Sequence, residues 1–540
     1  MNIIQNVSLL IGKGPNFREP QKVNFEDARS VILDGLNSFI ETLSKAKKIS
    51  QSSLLPWKEE IIKTIDCNIE MAKRSFKSSE PISVLTESKA KKTLSLLHKK
   101  FVFVQIDKAS NNIALICKHY YALDFANLGN ACDNTYELSA ESKDSIIKQH
   151  VDFQGHLGLE VKEDFKRLPT HYWTPKMHKQ IIAERFISAS VMSSLKPLAK
   201  HVTKIFKCIF NFSRAYYRTI EFHTGLKYFW VIDNNAEFCK ALDRISERNR
   251  ARCISTFDFS TLYTKIPHDK LIDCLHFFIN LVFNNKDRRY LSVTSSGAHW
   301  VAGKKTSGTL YDIDAVKNAL KFLIDNSYFY IGDQVFRQRI GIPMGLDPDP
   351  FLANLFLAYY EVHWIDKLKR EDFARAKKYT NNYRFIDDLS ALNDGGEFER
   401  SHREIYPEEL ECKKENDGTE DATFLDMETA IKEGKFDYHL YDKRDGFDFF
   451  IVRFPYACSN IPLKIFLSTI GAETLRVCRA SSTFDHFINF CSPFYKRMLK
   501  QGAAIKEIKA VFCKFFRRHE IIFSKFCLTC NQMVEKLQFE

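Results

Sequence analysis

The sequence predicts an α+β protein of several subdomains, and three observations carry that expectation. Paired strand-like runs recur around charged or glycine-bearing turns, and apolar residues at three-and-four spacing mark helices at both ends of the chain. A chain of 540 residues with 45% hydrophobic and 27% charged content can also bury a sizeable core. The net charge of +12 favours a polyanionic partner without specifying it. No run approaches the roughly 18 uninterrupted apolar residues that a membrane span requires, so no membrane partner is expected. Residues 1–10 have a short apolar run but no basic n-region and no small-residue cleavage site, which argues against a signal peptide. Fourteen cysteines, many inside apolar segments (Cys208, Cys253, Cys274, Cys478), fit reduced thiols of an intracellular protein.

Residues 1–95 are expected to form a polar, mostly helical extension. Ile32, Leu36, Phe39, Ile40 and Leu43 recur at helical spacing, followed by Lys45, Lys47 and Lys48. Residues 101–106 and 113–116 are strand-like and joined by a polar tip that carries Asp107 and Lys108. A second pair of extended pieces spans residues 172–190, with Lys176 and Arg185 near the joint. Cations at such tips either solubilise the surface or hold a triphosphate, lysine as a point charge and arginine with its planar fork. Residues 195–224 form a predicted helix with Ile205, Ile209 and Phe212 on one side.

Residues 253–259 form an apolar strand that delivers a lone carboxylate, Asp258, with Tyr263 five residues later and Pro267 closing the segment. A hairpin over residues 328–338 leads to a glycine and proline cluster, residues 341–345, which lets backbone approach a flat ligand before a helix begins near Pro350. In residues 383–390, Asp387 and Asp388 sit between two apolar patches, the pattern of a buried hairpin with a charged turn. Burying paired anions is costly unless a divalent cation neutralises them, and hard oxygen ligands suit Mg²⁺. A strand ending in Asp258 can complete such a site, because two-metal phosphoryl transfer needs carboxylates that bridge closely spaced ions. The last 75 or so residues are expected to be helical and basic, with Ile505, Ile508, Phe512, Phe515, His519 and Ile522 on one face. Cys527 and Cys530 have half of a zinc-site spacing. Cys513 and His519 precede them but no matching pair follows, so ordinary thiols are favoured over Zn²⁺.

Taken in order, Phe257-Asp258 with Tyr263, Gly341-Ile342-Pro343-Met344-Gly345 with Ala353-Asn354-Leu355, Phe385-Ile386-Asp387-Asp388, and Phe424-Leu425-Asp426 resemble the palm motifs of reverse transcriptases. Residues 262–268, the Pro-Lys-Met-His-Lys core at 175–179 and the Asp107-Lys108 turn look closest to the Penelope-like retroelement group, which is akin to telomerase. The resemblance covers about residues 100–480. It implies a right-hand polymerase, with fingers over 96–250, a palm over 251–468 and a helical thumb over 469–540. Residues 331–360 would form the nucleotide and template pocket, and residues 459–464 the primer grip.

The implied activity is RNA-directed DNA polymerisation, in which a primer 3′-hydroxyl is extended with dNTPs by two-Mg²⁺ chemistry. The same resemblance makes Asp258 and Asp387 the principal metal ligands, Asp388 a supporting carboxylate and Tyr263 a steric gate at the ribose 2′ position. Lys176, Arg185 and Lys108 would bind the triphosphate, and Gly341, Met344 and Gly345 would line the pocket. Glu411 stands near the position where the family often has a general-acid lysine. Lys413, two residues on and on the same strand face, is the expected substitute. Phe385 replaces the family's usual tyrosine, Ile461 its histidine, and Asp347-Pro348-Asp349-Pro350 a more neutral segment, which puts template contacts there in doubt. Nothing resembles the C-terminal GIY-YIG endonuclease of many members, so a separate endonuclease, or chromosome ends as primers, is expected. The implied partners are an RNA template and a DNA primer or target DNA, and the implied location is the nucleus. Two alternatives remain: an RNA-dependent RNA polymerase, against which Tyr263 argues, and a domesticated, catalytically silent nucleic-acid-binding protein.

Overall fold

The computed structural model describes residues 14, 16–18, 24–47, 49–50, 52–75, 87–130, 135–177, 182–284, 289–303, 308–342, 345–442 and 446–537. Its strands, in chain order, begin with the hairpin β1 (Phe101–Ile106) and β2 (Ala109–Cys117). β3 (Tyr136–Leu138), β4 (Thr170–Lys176) and β5 (Ala183–Ala189) follow, and then β6 (Ile254–Phe259). β7 (Tyr290–Val293), β8 (Ala298–Val301) and β9 (Thr309–Tyr311) make a small antiparallel sheet. β10 (Tyr328–Ile331) and β11 (Gln334–Gln338) join β3, β4 and β5 in a five-stranded sheet of order β3-β11-β10-β4-β5.

The central sheet is built from β12 (Asn382–Phe385), β13 (Asp388–Leu392) and β14 (Cys412–Lys414) with β6, in the antiparallel order β12-β13-β6-β14. Strand periodicity gives its two faces different neighbours. Phe257, Phe259, Leu389 and Ala391 pack on one side against the helices Lys196–Thr224, His268–Phe283, Ile313–Asp325 and Asp349–Glu371. Ile254, Tyr383 and Leu392 pack on the other side with the helix Asn235–Ser246, the strands β15 (Asp421–Phe424), β16 (Met427–Lys432) and β17 (Lys435–Leu440), and the C-terminal helices. Those helices include Leu463–Arg479, Phe484–Lys500 and Ile505–Arg518.

Two apolar faces differ from expectation. In the helix Ile505–Arg518 the buried residues are Ile508, Phe512 and Phe516, whereas Ile505 is 40% exposed and the helix ends before His519 and Ile522. Phe516 joins the seam, while Phe515 and Ile522 of the expected face pack against the same core partly buried. The N-terminal helix Phe25–Lys47 pairs with Leu55–Ser75 through Arg29 and Asp66 (2.6 Å). This pair buries Ile40 but leaves Ile32 and Phe39 about half exposed, because one facing helix cannot cover a wide apolar stripe. Lys48 and the side chains of Lys45 and Lys47 lie outside the described residues, as do His178, Lys179, Pro343 and Met344. No disulfide joins the described cysteines, and no described helix is long and apolar enough to cross a membrane.

Candidate active site

The register of the central sheet places Asp388 opposite Asp258, and on the other side of β6 it places Lys413 opposite the same aspartate. Cross-strand partners share a face at Cα separations of about 4.5–5.5 Å, so two carboxylates and one lysine stand side by side. Asp387 occupies the adjoining two-residue turn, and its carbonyl accepts the Phe259 N–H at 3.0 Å. The other turn residue, Ile386, has φ +57°, a left-handed conformation that a β-branched residue adopts only when its surroundings enforce it.

The enforcing group is Arg384, one residue out of phase with the carboxylates and therefore on the helix side of the sheet. Its side chain is fully buried and ion-paired with the equally buried Glu361. Nη1 also donates to the Ile386 carbonyl and to Asn354 Oδ1, each at 2.9 Å, and Nη2 donates to the Asn354 carbonyl at 3.0 Å. Tyr406 completes the network by donating to Glu361 Oε1 at 3.0 Å. Sequence reasoning missed this support. The available signal was an arginine inside the otherwise apolar strand run between Tyr383 and Phe385.

Tyr263 and the glycine loop form the next layer. Burial pushes the Tyr263 hydroxyl well above its ordinary pKa, and the charges of Asp387 and Asp349 add to the effect while Arg185 and Arg384 oppose it. The ring is therefore within the field of the Asp387 and Asp349 carboxylates and of the Arg185 guanidinium. Gly341 (φ +90°) packs so tightly on Tyr263 that a Cβ there would lie 2.2 Å from the Tyr263 carbonyl oxygen. Gly345 (φ +113°) approaches β5 equally closely, 2.3 Å from Ser188 O, and its carbonyl accepts from Ser190 Oγ. Only glycine fits these two positions. The acidic residues that follow serve the loop itself. Asp349 Oδ2 accepts the N–H groups of Gly345 (3.0 Å) and Leu346 (2.8 Å), and Asp347 pairs with Lys196 at 2.7 Å.

Lys176 and Arg185 lie on one face of the β4–β5 hairpin, since Arg185 is opposite Thr174 and Lys176 is two residues further along β4. Arg185 Nη1 pairs with Asp107 Oδ1 at 3.0 Å, and the Asp107 N–H donates to the Pro175 carbonyl. Lys108 occupies the β1–β2 turn at φ +62°. This hairpin also bonds to the segment before the expected primer grip: Asn112 donates to the Phe450 carbonyl and accepts from the Val452 N–H, both at 2.9 Å. Ser459 is buried, and its hydroxyl oxygen accepts the Arg18 N–H at 3.0 Å.

Among the described residues, no group of three or more His, Cys, Asp or Glu side chains converges as a ready metal site. The Asp258, Asp387 and Asp388 donor set nevertheless fits Mg²⁺, which is usually held by one or two carboxylates together with substrate phosphates.

The fold is that of a right-hand polymerase. Within that class, the chain is similar over 99% of its length, and 90% of the other's, to a telomerase from Candida albicans solved with a fragment of telomeric RNA, at TM-score 0.55 and 9% identity. Weaker likenesses are to a telomerase from Candida tropicalis with telomeric RNA (TM-score 0.49, 10% identity, 99% and 81% covered) and to a sicinivirus RNA-dependent RNA polymerase (TM-score 0.35, 11% identity, 71% and 74% covered). No protein-family model and no curated protein matches the sequence. At such identities the likeness speaks for architecture, and the chemistry has to be argued from the site.

Proposed function

We propose that this protein is a template-directed nucleic-acid polymerase, and specifically an RNA-directed DNA polymerase of the Penelope-like, telomerase-related kind. The observation that carries the reading is the register pair Asp258 and Asp388, with Asp387 in the adjoining turn. Asp258 and Asp387, supported by Asp388, would hold two Mg²⁺ ions, which when bound activate a primer 3′-hydroxyl and stabilise charge at the α-phosphate. Arg384 fixes the turn so that Asp387 is held in one geometry. Burial raises the pKa of the Tyr263 hydroxyl further above the neutral range, and its ring would exclude a ribose 2′-hydroxyl. Lys176, Lys108 and Arg185 bind the triphosphate, with Arg185 shared between the ligand and Asp107. Gly341 and Gly345 let the pocket wall approach the nucleotide. Lys413, next to Asp258 in the sheet, donates a proton to the departing pyrophosphate.

Primer extension on poly(rA)/oligo(dT) with Mg²⁺ tests the reading. The wild type is expected to extend with dNTPs, Asp387→Asn to lose extension while retaining template binding, and Tyr263→Ala to admit rNTPs. Unchanged extension by Asp387→Asn would sink the assignment. Use of rNTPs as efficient as dNTPs by the wild type would favour an RNA polymerase instead.

A further inference from the structure

On the outer side of β12, a cleft of about 400 Å³ opens between the helices Lys196–Thr224 and Asn235–Ser246. Five cations line it, Arg214, Arg218, Lys227, Lys240 and Arg244, against two carboxylates, Glu221 and Glu237. Glu237 is already engaged: it accepts the Asp233 N–H at 3.2 Å and pairs with Arg214 (3.7 Å) and Arg218 (4.0 Å). Arg214 in turn grips Asp233 at 2.6 Å. Arg244 donates to two neutral acceptors, Asn381 Oδ1 at 3.4 Å and the Tyr383 hydroxyl at 3.3 Å, and with Lys227 and Arg218 lies in the field of Glu221. Lys227 forms the floor, where its ammonium donates to the Asn382 carbonyl at 2.7 Å and lies 3.4 Å from the centre of the Tyr383 ring. Burial brings the Lys227 amine down to about 7, so an anion in the cleft would help restore its charge.

A purely solvated cationic surface spreads its charges apart. Here guanidinium forks and ammonium groups from two helices and a connecting segment converge on one concavity of ligand size. Fork and point-charge donors together suit phosphate oxygens. We propose that this cleft is a second anion site, whose lining shares no residue with the triphosphate cations Lys108, Lys176 and Arg185, and that it binds a polyphosphate or phosphodiester group. The group comes either from a free nucleotide or from the backbone of a bound strand. The site does not depend on the polymerase reading.

The test is calorimetric titration of tripolyphosphate into the 540-residue protein in EDTA, where no catalysis is read and metal-dependent binding at the carboxylates is silent. The wild type is expected to bind. Against a Lys176→Gln/Arg185→Gln background, which removes cations proposed to bind the triphosphate, the double variant Lys240→Gln/Arg244→Gln should bind about tenfold more weakly or worse, and Lys321→Gln, an exposed cation that does not line the cleft, should leave binding unchanged. Lys240 and Arg244 are exposed, so an unchanged melting temperature is expected, and Arg218→Gln provides an independent second variant from the facing helix. No binding by the wild type or by that background protein, equal affinity in the double variant, or loss of binding in Lys321→Gln would each overturn the proposal. A single-stranded oligonucleotide then separates the sources. If its affinity falls in the double variant by the same factor, the ligand is strand backbone. If it is unaffected while tripolyphosphate binding falls, the ligand is a free polyphosphate tail.

Discussion

Arg384 donates through Nη1 to the carbonyl of Ile386 at 2.9 Å, reaching from beneath the sheet to the backbone of the turn that carries Asp387. The guanidinium thus has two tasks, neutralising the buried Glu361 and holding a strained turn. Replacing it by an apolar side chain separates them. Arg384→Met strands the Glu361 carboxylate without a counter-charge and is expected to cost about 3–5 kcal/mol, read as a lower urea midpoint. The double variant Arg384→Met/Glu361→Met should recover most of that stability yet remain defective in primer extension, since nothing then holds Ile386 at positive φ. Wild-type extension by the stable double variant would show that the turn does not need its arginine.

Gly341 gives a second separable prediction. Gly341→Ala must push back the Tyr263 backbone, because the new Cβ meets a carbonyl oxygen at 2.2 Å. Stability should fall by more than about 1 kcal/mol, and discrimination between dNTPs and rNTPs should fall with it. Gly332→Ala is the control. It also carries a positive φ, +58°, but has open space around it, so it should lose stability only and leave discrimination intact.

Which features were legible in the sequence follows from how local they are. The hairpins β4–β5, β10–β11 and β12–β13 are set by period-two runs and their turns, and each stands where the pattern placed it. Insertion of β6 between β13 and β14 is a long-range choice that no local pattern dictates, and it is this choice that aligns Asp258 with Asp388. Glu361 is buried only because Arg384 arrives from a different element, so neither residue announces its role alone. Asp349 in its proline-rich setting looked like an obstacle to template contacts. Its role as acceptor for the Gly345 and Leu346 N–H groups depends on a loop conformation that composition does not encode.

The register pair Asp258 and Asp388 sets two like charges side by side, with Lys413 on the other side of Asp258, an arrangement that a divalent cation would stabilise further. Mg²⁺ should therefore raise the melting temperature of the wild type, by the linkage of binding to folding. Asp258→Asn should melt no lower than the wild type in EDTA and should lose the Mg²⁺-dependent rise. An equal rise in both proteins would place the ion elsewhere.

Asp349 offers a test by pH that does not involve catalysis. Burial holds its carboxyl well above the ordinary aspartate value, only partly offset by the N–H groups of Gly345 and Leu346, and among the described residues Oδ1 has no hydrogen-bond partner. The folded protein therefore binds this proton more tightly than the unfolded chain does. The stability it contributes is fully present below the unfolded pKa, near about 4, and is lost as pH rises through the folded value. Asp349→Asn keeps an oxygen to accept both N–H groups and has no charge to desolvate. Relative to wild type, it should gain stability steadily as pH rises above that point, with a larger difference in urea midpoint at pH 8 than at pH 5. Parallel pH profiles for the two proteins would mean that Asp349 titrates as an ordinary surface carboxylate, which its burial argues against.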